Sequence, residues 1–235
     1  MLESRSRVAG TRKQVQFAYA ARMAKKTKVV PFRAQKPPRS PRAYVLKVAL
    51  RGARPPIWRR IRVASDLSLR ELHHVLQIAF GWTDSHLHEF EIGGKHYGIP
   101  DPLEDIGEPP LDEQNYQLHE LLQNGSRAEY LYDFGDSWRH DIVVEDEEAA
   151  KRSAPKAECL AGARACPPED SGGAHRYEEL LEAVADPTNK RRRELLEWVG
   201  PYFAPEQFDL ASVNRALRGA GSVTWRRRRE RFYTS

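Results

Sequence analysis

The chain has 235 residues, of which 40% are hydrophobic, so it is long enough to bury a core in one large domain or two small ones. Its apolar runs are far shorter than the roughly 20 residues that cross a bilayer, and its basic N-terminus lacks the apolar segment of a secretory signal. We therefore expect a cytoplasmic protein with reduced cysteines, and not a membrane-spanning or exported one.

The formal net charge of +5 is concentrated at the two ends of the chain. Residues 1–42 hold 12 Lys/Arg and one acid, whereas the rest of the chain holds 26 Lys/Arg and 32 acids, a net charge of −6. The first segment has no sustained hydrophobic period, so we predict a basic disordered arm over 1–42, one domain over 43–220 and a basic tail over 221–235. Met23 offers an alternative translation start.

These basic ends predict attraction to nucleic acid or another polyanion. The alternative is that they are solubilising arms, which the lack of aromatic residues within the arginine run favours. The candidate nucleic-acid residues are Lys25, Lys26, Lys28, Arg226, Arg227, Arg228 and Arg229.

The globular part begins with a predicted β-hairpin and a helix. Apolar residues alternate over 44–50 and again over 57–63, on either side of a glycine and a proline pair, which is typical of strand, turn and strand. Ser68 and Glu71 then form a capping box. Apolar residues follow at helical spacing until Gly81, which predicts a helix between the two signals.

Further strands are predicted in the middle of the chain. Alternation over 88–92 indicates a strand, and a short strand over 95–98 is expected to pair with it. A helical turn is expected near Leu118. Alternation across 130–144 then predicts a second hairpin, which turns at Gly135.

The last part of the chain is predicted to be helical. The acidic stretch 145–155 is typical of a solvated linker, and amphipathic helices follow around 177–185, 195–199 and 213–217. The order of elements predicts an α+β domain: a β-hairpin, a helix, further mostly antiparallel strands and a helical C-terminal part. Hairpin, helix and then strands is similar to a β-grasp arrangement, an analogy in element order alone.

Four sequence blocks carry a resemblance to a known family. They are Pro55-Pro56-Ile57-Trp58-Arg59-Arg60; Leu72-His73 with Gly81-Trp82 and His86-Leu87-His88-Glu89-Phe90; Tyr132-Asp133-Phe134-Gly135-Asp136-Ser137-Trp138 with His140; and Ala165-Cys166-Pro167-Pro168-Glu169-Asp170 with Gly172-Gly173-Ala174. Together they resemble the plasmid pRiA4b ORF-3-like family, also labelled the insertion-sequence passenger TnpR family, over about 43–217. The resemblance implies an association with plasmids and mobile elements, and a fold more firmly than a reaction.

A polar or metal site is one interpretation of the acids, histidines and thiol in these blocks. Imidazole, carboxylate and thiolate groups bind zinc and related divalent ions, and two histidines two residues apart on a strand can face one ion. The seven-residue spacing of Cys159 and Cys166 does not match a zinc knuckle. The candidates are His86, His88, Asp133, Asp136, His140, Cys166, Glu169 and Asp170.

The same residues also have a structural interpretation. His88 can be a core histidine whose ring nitrogens are hydrogen-bonded. Gly135 can adopt a positive φ while Asp136 accepts hydrogen bonds from turn amides. Glu169 or Asp170 can cap the helix that follows.

Two functions remain open from the sequence. The first is a non-catalytic binding or interaction module, linked by resemblance to mobile elements, whose basic ends associate weakly with nucleic acid. The alternative is a metal-dependent, hydrolase-like enzyme that holds a divalent metal with the His/Asp/Glu/Cys set and uses metal-bound water as its nucleophile. We find no complete catalytic constellation in the sequence, which favours the first.

Overall fold

The computed structural model describes residues 40–101, 108–200 and 203–220, so residues 1–39 of the predicted arm, Met23 among them, and the predicted tail lie outside the described residues. Arg42, the last residue of the predicted arm, is the first residue of a strand. The helices are α1 (Leu69–Phe80), α2 (Leu118–Leu121), α3 (Gly173–Ala185), α4 (Arg192–Val199) and α5 (Leu210–Gly219), with a 3-10 turn at Glu113–Asn115. The strands are β1 (Arg42–Leu50), β2 (Trp58–Ala64), β3 (His88–Ile92), β4 (Lys95–Gly98), β5 (Leu111–Asp112), β6 (Arg127–Tyr132), β7 (Trp138–Ala149) and β8 (Ala157–Ala163).

All eight strands form one sheet in the order β5-β4-β3-β6-β7-β1-β2-β8. Neighbouring strands are antiparallel except β4 and β5, which are parallel, so the predicted α+β class is confirmed. The element order behind the β-grasp analogy is present and continues into this larger sheet. Within the described ranges, no helix is long and apolar enough to cross a membrane.

Helix α1 begins and ends where the sequence predicts. The Ser68 side chain accepts from the backbone N–H of Glu71, and the Glu71 side chain accepts from the backbone N–H of Ser68. Such a cap stabilises a helix by about 1 kcal/mol. Gly81 ends the helix at φ 83, a left-handed conformation that costs glycine little. The apolar side of α1 joins the same buried core as β1, β2 and β6.

The opposite face of the sheet carries ion pairs. Because side chains alternate along a strand, Arg60 and Arg62 of β2 point away from the core. Arg60 pairs with Glu145 at 2.6 Å, and Arg62 pairs with Glu148 and Glu158 at 3.1 Å each. Exposed pairs of this kind contribute at most about 1 kcal/mol, so they mainly neutralise the arginines.

The prediction of a linker over 145–155 is wrong for its first five residues, 145–149. Strand β7 continues to Ala149 and pairs with β1 as far as Arg42, with a β-bulge between Val45 and Leu46. Acidic residues are compatible with this strand because Glu145 and Glu148 pair with arginines of β2, and Glu147 pairs with Arg42 of β1. The negative charge therefore belongs to the sheet.

The β8 edge of the sheet is covered by helix α5. The backbone N–H of Cys159 donates to Asn214 Oδ1 and the Asn214 amide nitrogen donates to the Cys159 carbonyl, both at 2.8 Å. One side chain thus satisfies the backbone groups that a further strand would use. An edge occupied in this way is protected from pairing with another chain.

Candidate functional site

Three connecting segments that are distant in sequence meet in space: 81–87 between α1 and β3, 133–137 between β6 and β7, and 164–172 between β8 and α3. The backbone N–H of Asp133 donates to the Leu87 carbonyl at 2.9 Å, which joins the first two segments. The Thr83 hydroxyl donates to Glu169 and joins the first to the third. Together the segments hold six of the eight candidate site residues.

His86, Asp133 and Asp170 converge with one nitrogen and two carboxylate oxygens. His86 Nε2 lies 3.6 Å from Asp133 Oδ2 and 3.5 Å from Asp170 Oδ1. This nitrogen is buried and has no hydrogen-bond partner. The Asp133 side chain is only 9% exposed, whereas that of Asp170 is 70% exposed, so the group opens to solvent on the Asp170 side. These atoms lie close enough together to share one metal ion.

Asp133 is fixed by the turn in which it lies. Its Oδ1 accepts from the backbone N–H groups of Gly135 at 2.8 Å and Asp136 at 3.3 Å, which leaves Oδ2 to face His86. We predicted that Gly135 would adopt the positive φ and that Asp136 would accept the turn amides. That prediction is wrong: Asp133 accepts them, and Asp133 and Ser137 adopt φ 55 and 58.

The Tyr132 hydroxyl joins the segments that carry His86 and Asp170. It accepts from the backbone N–H of Ser85 at 3.0 Å and from that of His86, and it donates to Glu169 Oε1. Glu169 directly precedes Asp170. Its carboxylate also accepts hydrogen bonds from the backbone N–H and the hydroxyl of Thr83. Burial raises the pKa of Glu169, but these hydrogen bonds outweigh it, and the pKa is lowered.

Asp136 and Gly173 fix the start of helix α3. Asp136 Oδ2 accepts from the backbone N–H of Gly172 at 2.9 Å, so the acid that caps α3 comes from the β6–β7 turn. Our prediction that Glu169 or Asp170 caps this helix is wrong. Gly173 has φ 83, and a Cβ at this position would lie 2.7 Å from the Asp136 carbonyl oxygen. Burial raises the pKa of the Asp136 carboxyl, and the negative charges of Asp133 and Asp170 add to this rise.

A second polar cluster lies in the core beneath α1. His73 bonds through Nδ1 to the Tyr130 hydroxyl and through Nε2 to Asp84 Oδ1, both at 2.8 Å. His88 Nε2 bonds to Glu113 Oε2 at 2.8 Å. Burial, and then the charge of His88, lower the pKa of His73 well below its ordinary value. Burial raises the pKa of Glu113, but the hydrogen bond and charge of His88, together with the charges of His73 and Arg70, outweigh burial and lower the pKa.

His73, Asp84 and His88 are also close enough to share a metal, but their ring geometry opposes it. The rings of His73 and His88 are stacked, with centroids 3.4 Å apart and planes only 7° from parallel. An imidazole binds a metal in the plane of its ring, along the nitrogen lone pair. Two parallel rings therefore cannot direct lone pairs at one ion. His73 already bonds through both nitrogens, so this cluster is a buried hydrogen-bond network.

Of the remaining candidates, His140 lies outside the three segments, and Cys166 lies on the third segment but is not one of the residues that converge on His86. His140 is buried, with Nδ1 3.3 Å from the Tyr130 carbonyl and its ring edge-on to Phe80, and burial lowers its pKa to about 4. Burial raises the pKa of the Cys166 thiol, which therefore stays protonated at neutral pH. A neutral thiol is a weak nucleophile, which disfavours thiol catalysis at Cys166.

Sequence reasoning missed residues in both clusters. His73 lies on the buried side of α1 among Leu69, Leu72 and Leu76, and a histidine at such a position was a signal for a buried polar network. Tyr132 was named only within a strand pattern and a family block, and Asp84 and Glu113 had no pattern to mark them. The metal-site interpretation allowed His86 and His88 to face one ion, but they lie in separate clusters.

The comparisons with known proteins agree with the fold. The family model of the plasmid pRiA4b ORF-3-like proteins matches residues 42–212. An uncharacterized protein, y4hQ of Sinorhizobium fredii (strain NBRC 101917 / NGR234), is 41% identical over 172 residues, which cover 72% of this chain and 84% of that protein. The crystal structure of MM3350 from Methanosarcina mazei Go1, a protein of unknown function, is 35% identical and has a TM-score of 0.66, covering 73% of this chain and 97% of that one. The chain belongs to the plasmid pRiA4b ORF-3-like family.

Proposed function

We propose that the chain binds a divalent transition-metal ion through His86, Asp133 and Asp170 and uses a water molecule on that ion as a nucleophile. The supporting observation is the buried His86 Nε2, which lacks a hydrogen-bond partner and faces two carboxylate oxygens at 3.5 and 3.6 Å. A hydrogen bond between these atoms would be roughly 2.7–3.2 Å long. Two ligands of a tetrahedral zinc ion, each bound at about 2.1 Å, are about 3.4 Å apart.

The ligand set favours particular ions. Imidazole suits zinc and iron, and carboxylates add manganese, so Zn²⁺, Fe²⁺ and Mn²⁺ are favoured over Mg²⁺. Three protein ligands leave at least one position for water, as in catalytic sites. A metal ion of this class would lower the pKa of a bound water molecule to near neutrality and so would supply hydroxide at neutral pH. The 70% exposure of Asp170 supports this proposal, because a substrate could reach a metal ion held there from solvent.

Calorimetric titration of the full chain with Zn²⁺, after removal of metal by a chelator, tests the proposal. We expect about one ion per chain and at least a roughly tenfold loss of affinity in His86→Ala and in Asp170→Asn. His175→Ala is the matched control, because His175 is 85% exposed on α3 and bonds only to its helix neighbour Glu179. Equal affinity in all four proteins would rule the site out.

The binding-module function rests on charge and resemblance. Its basic candidates lie outside the described residues, so association with nucleic acid through them stays a prediction. The link to mobile elements and the TnpR label likewise stay predictions from family resemblance. The described residues support the metal site more directly, because they bring its groups together.

A further inference from the structure

The charge around His86 bears on what the proposed metal site would accept. Asp133 and Asp170 lie within 3.6 Å of the imidazole, and the same two segments carry two further carboxylates, those of Asp136 and Glu169. Asp136 interacts electrostatically with both Asp133 and Asp170, and Glu169 interacts with His86. The site is therefore acidic beyond its two proposed carboxylate ligands.

A divalent ion would offset only part of this charge. Its two charges would match the two carboxylates proposed as its ligands, those of Asp133 and Asp170. The carboxylates of Glu169 and Asp136 come in addition to these two, and hydrogen bonds from the Tyr132 hydroxyl and the backbone N–H of Gly172 hold them in the same segments.

We infer that the substrate of this site is a neutral acyl compound, an amide or an ester, and not a phosphate ester; the inference rests on the proposed metal site. Like charges held within a few ångströms at a protein surface repel strongly, so a phosphate anion is disfavoured beside Asp136 and Asp170. A neutral carbonyl group meets no such repulsion and can approach the ion through its oxygen.

The reaction of such a substrate is a hydrolysis. The oxygen of water forms a bond to the acyl carbon, and the bond from that carbon to the leaving nitrogen or oxygen breaks. The proton that water loses is gained by the leaving group. No oxidant, reductant or further co-reactant is required.

Competition on the zinc-loaded full chain tests the inference, with acetohydroxamic acid as a probe for acyl chemistry and inorganic phosphate as the competing anion. We expect hydroxamate to bind at least tenfold more tightly than phosphate. Asp136→Asn removes one negative charge and keeps an oxygen that can accept from Gly172, so it is expected to raise phosphate affinity several-fold. Glu197→Gln, an exposed acid on α4, is the matched control and is expected to leave both affinities unchanged.

The outcomes separate the two proposals. If the chain binds zinc but binds phosphate as tightly as hydroxamate, the inference of an acyl substrate is wrong and the proposed metal site still stands. A chain that takes up no zinc overturns both. Phosphate affinity that does not change in Asp136→Asn shows that the acidic surroundings do not select against anions, which also counts against the inference.

Discussion

Three acidic residues at or near the candidate site adopt a backbone conformation that side chains usually avoid. Asp84, Asp133 and Asp170 have φ values of 61, 55 and 59. The left-handed region costs an L-residue about 1–2 kcal/mol, less for Asp, whose short side chain can bond locally. Asp133 shows such bonding, to Gly135 and Asp136. Strained positions of this kind cluster at functional sites, in accord with the proposed role of Asp133 and Asp170 as metal ligands.

His140 is expected to make the fold sensitive to mild acid. Its ring is buried, and burial lowers its pKa from 6.5 to about 4. Between these values an unfolded chain binds a proton that the folded chain excludes, so the free energy of unfolding falls as the pH falls. This loss begins near pH 6.5, ends near pH 4 and amounts to about 3 kcal/mol for this one residue.

The prediction for His140 is tested by urea unfolding at several pH values. His140→Asn removes the titrating group and should reduce the pH slope of the unfolding free energy by about 1.4 kcal/mol per unit between pH 6 and pH 5. The variant also loses ring packing, so the slope and not the absolute stability is the readout. His175→Asn, at an exposed position, should keep the wild-type slope. An unchanged slope in His140→Asn would contradict the prediction.

At the scale of elements, the start of α3 is locked against the β6–β7 turn by a glycine. Gly173→Ala places a Cβ 2.7 Å from the Asp136 carbonyl oxygen at φ 83, and we expect a loss of about 1–3 kcal/mol in unfolding free energy. Gly219→Ala is the matched control, because nothing lies within 4 Å of a Cβ there, near the end of α5. Alanine at a helical position is neutral or stabilises by up to about 1 kcal/mol.

Thermal or urea unfolding of the two glycine variants distinguishes a local lock from a general effect of replacing glycine. Equal stability of both variants would show that the contact with Asp136 can relax at no cost. A loss confined to Gly173→Ala supports rigid docking of α3 on the turn. Since Asp170 lies three residues before Gly173, the same lock helps to fix the loop that carries it.

Across the whole molecule, helices and strands are well predicted from the sequence when the residues that start and end them lie within the element itself. The capping box at Ser68 and the left-handed Gly81 lie within the element that they define. The acidic stretch after Val144 was misjudged, since its role as a strand depends on a partner edge in β1, about 100 residues away. His86 was placed on a strand that begins only at His88, so its true neighbours could not be predicted.

The candidate site depends on the whole fold for the same reason. Its three groups come from three segments, and no spacing in the sequence sets their distances. Tyr132 joins these segments: its hydroxyl is bonded to the loop of His86 on one side and to Glu169, beside Asp170, on the other. Such partners of metal ligands hold the ligands in place, and their removal typically costs 10–100-fold in metal affinity.

Tyr132→Phe is therefore expected to lower zinc affinity by roughly 10–100-fold while the chain stays folded. The ring remains in the core, and only the bonds to Ser85, His86 and Glu169 are lost. Calorimetric zinc titration beside a far-ultraviolet circular dichroism melt measures both quantities. Tyr44→Phe is the matched control, because its buried hydroxyl bonds to the Leu122 carbonyl, away from the three segments. Equal zinc affinity in the two variants would mean that His86 and Asp170 are held by other contacts.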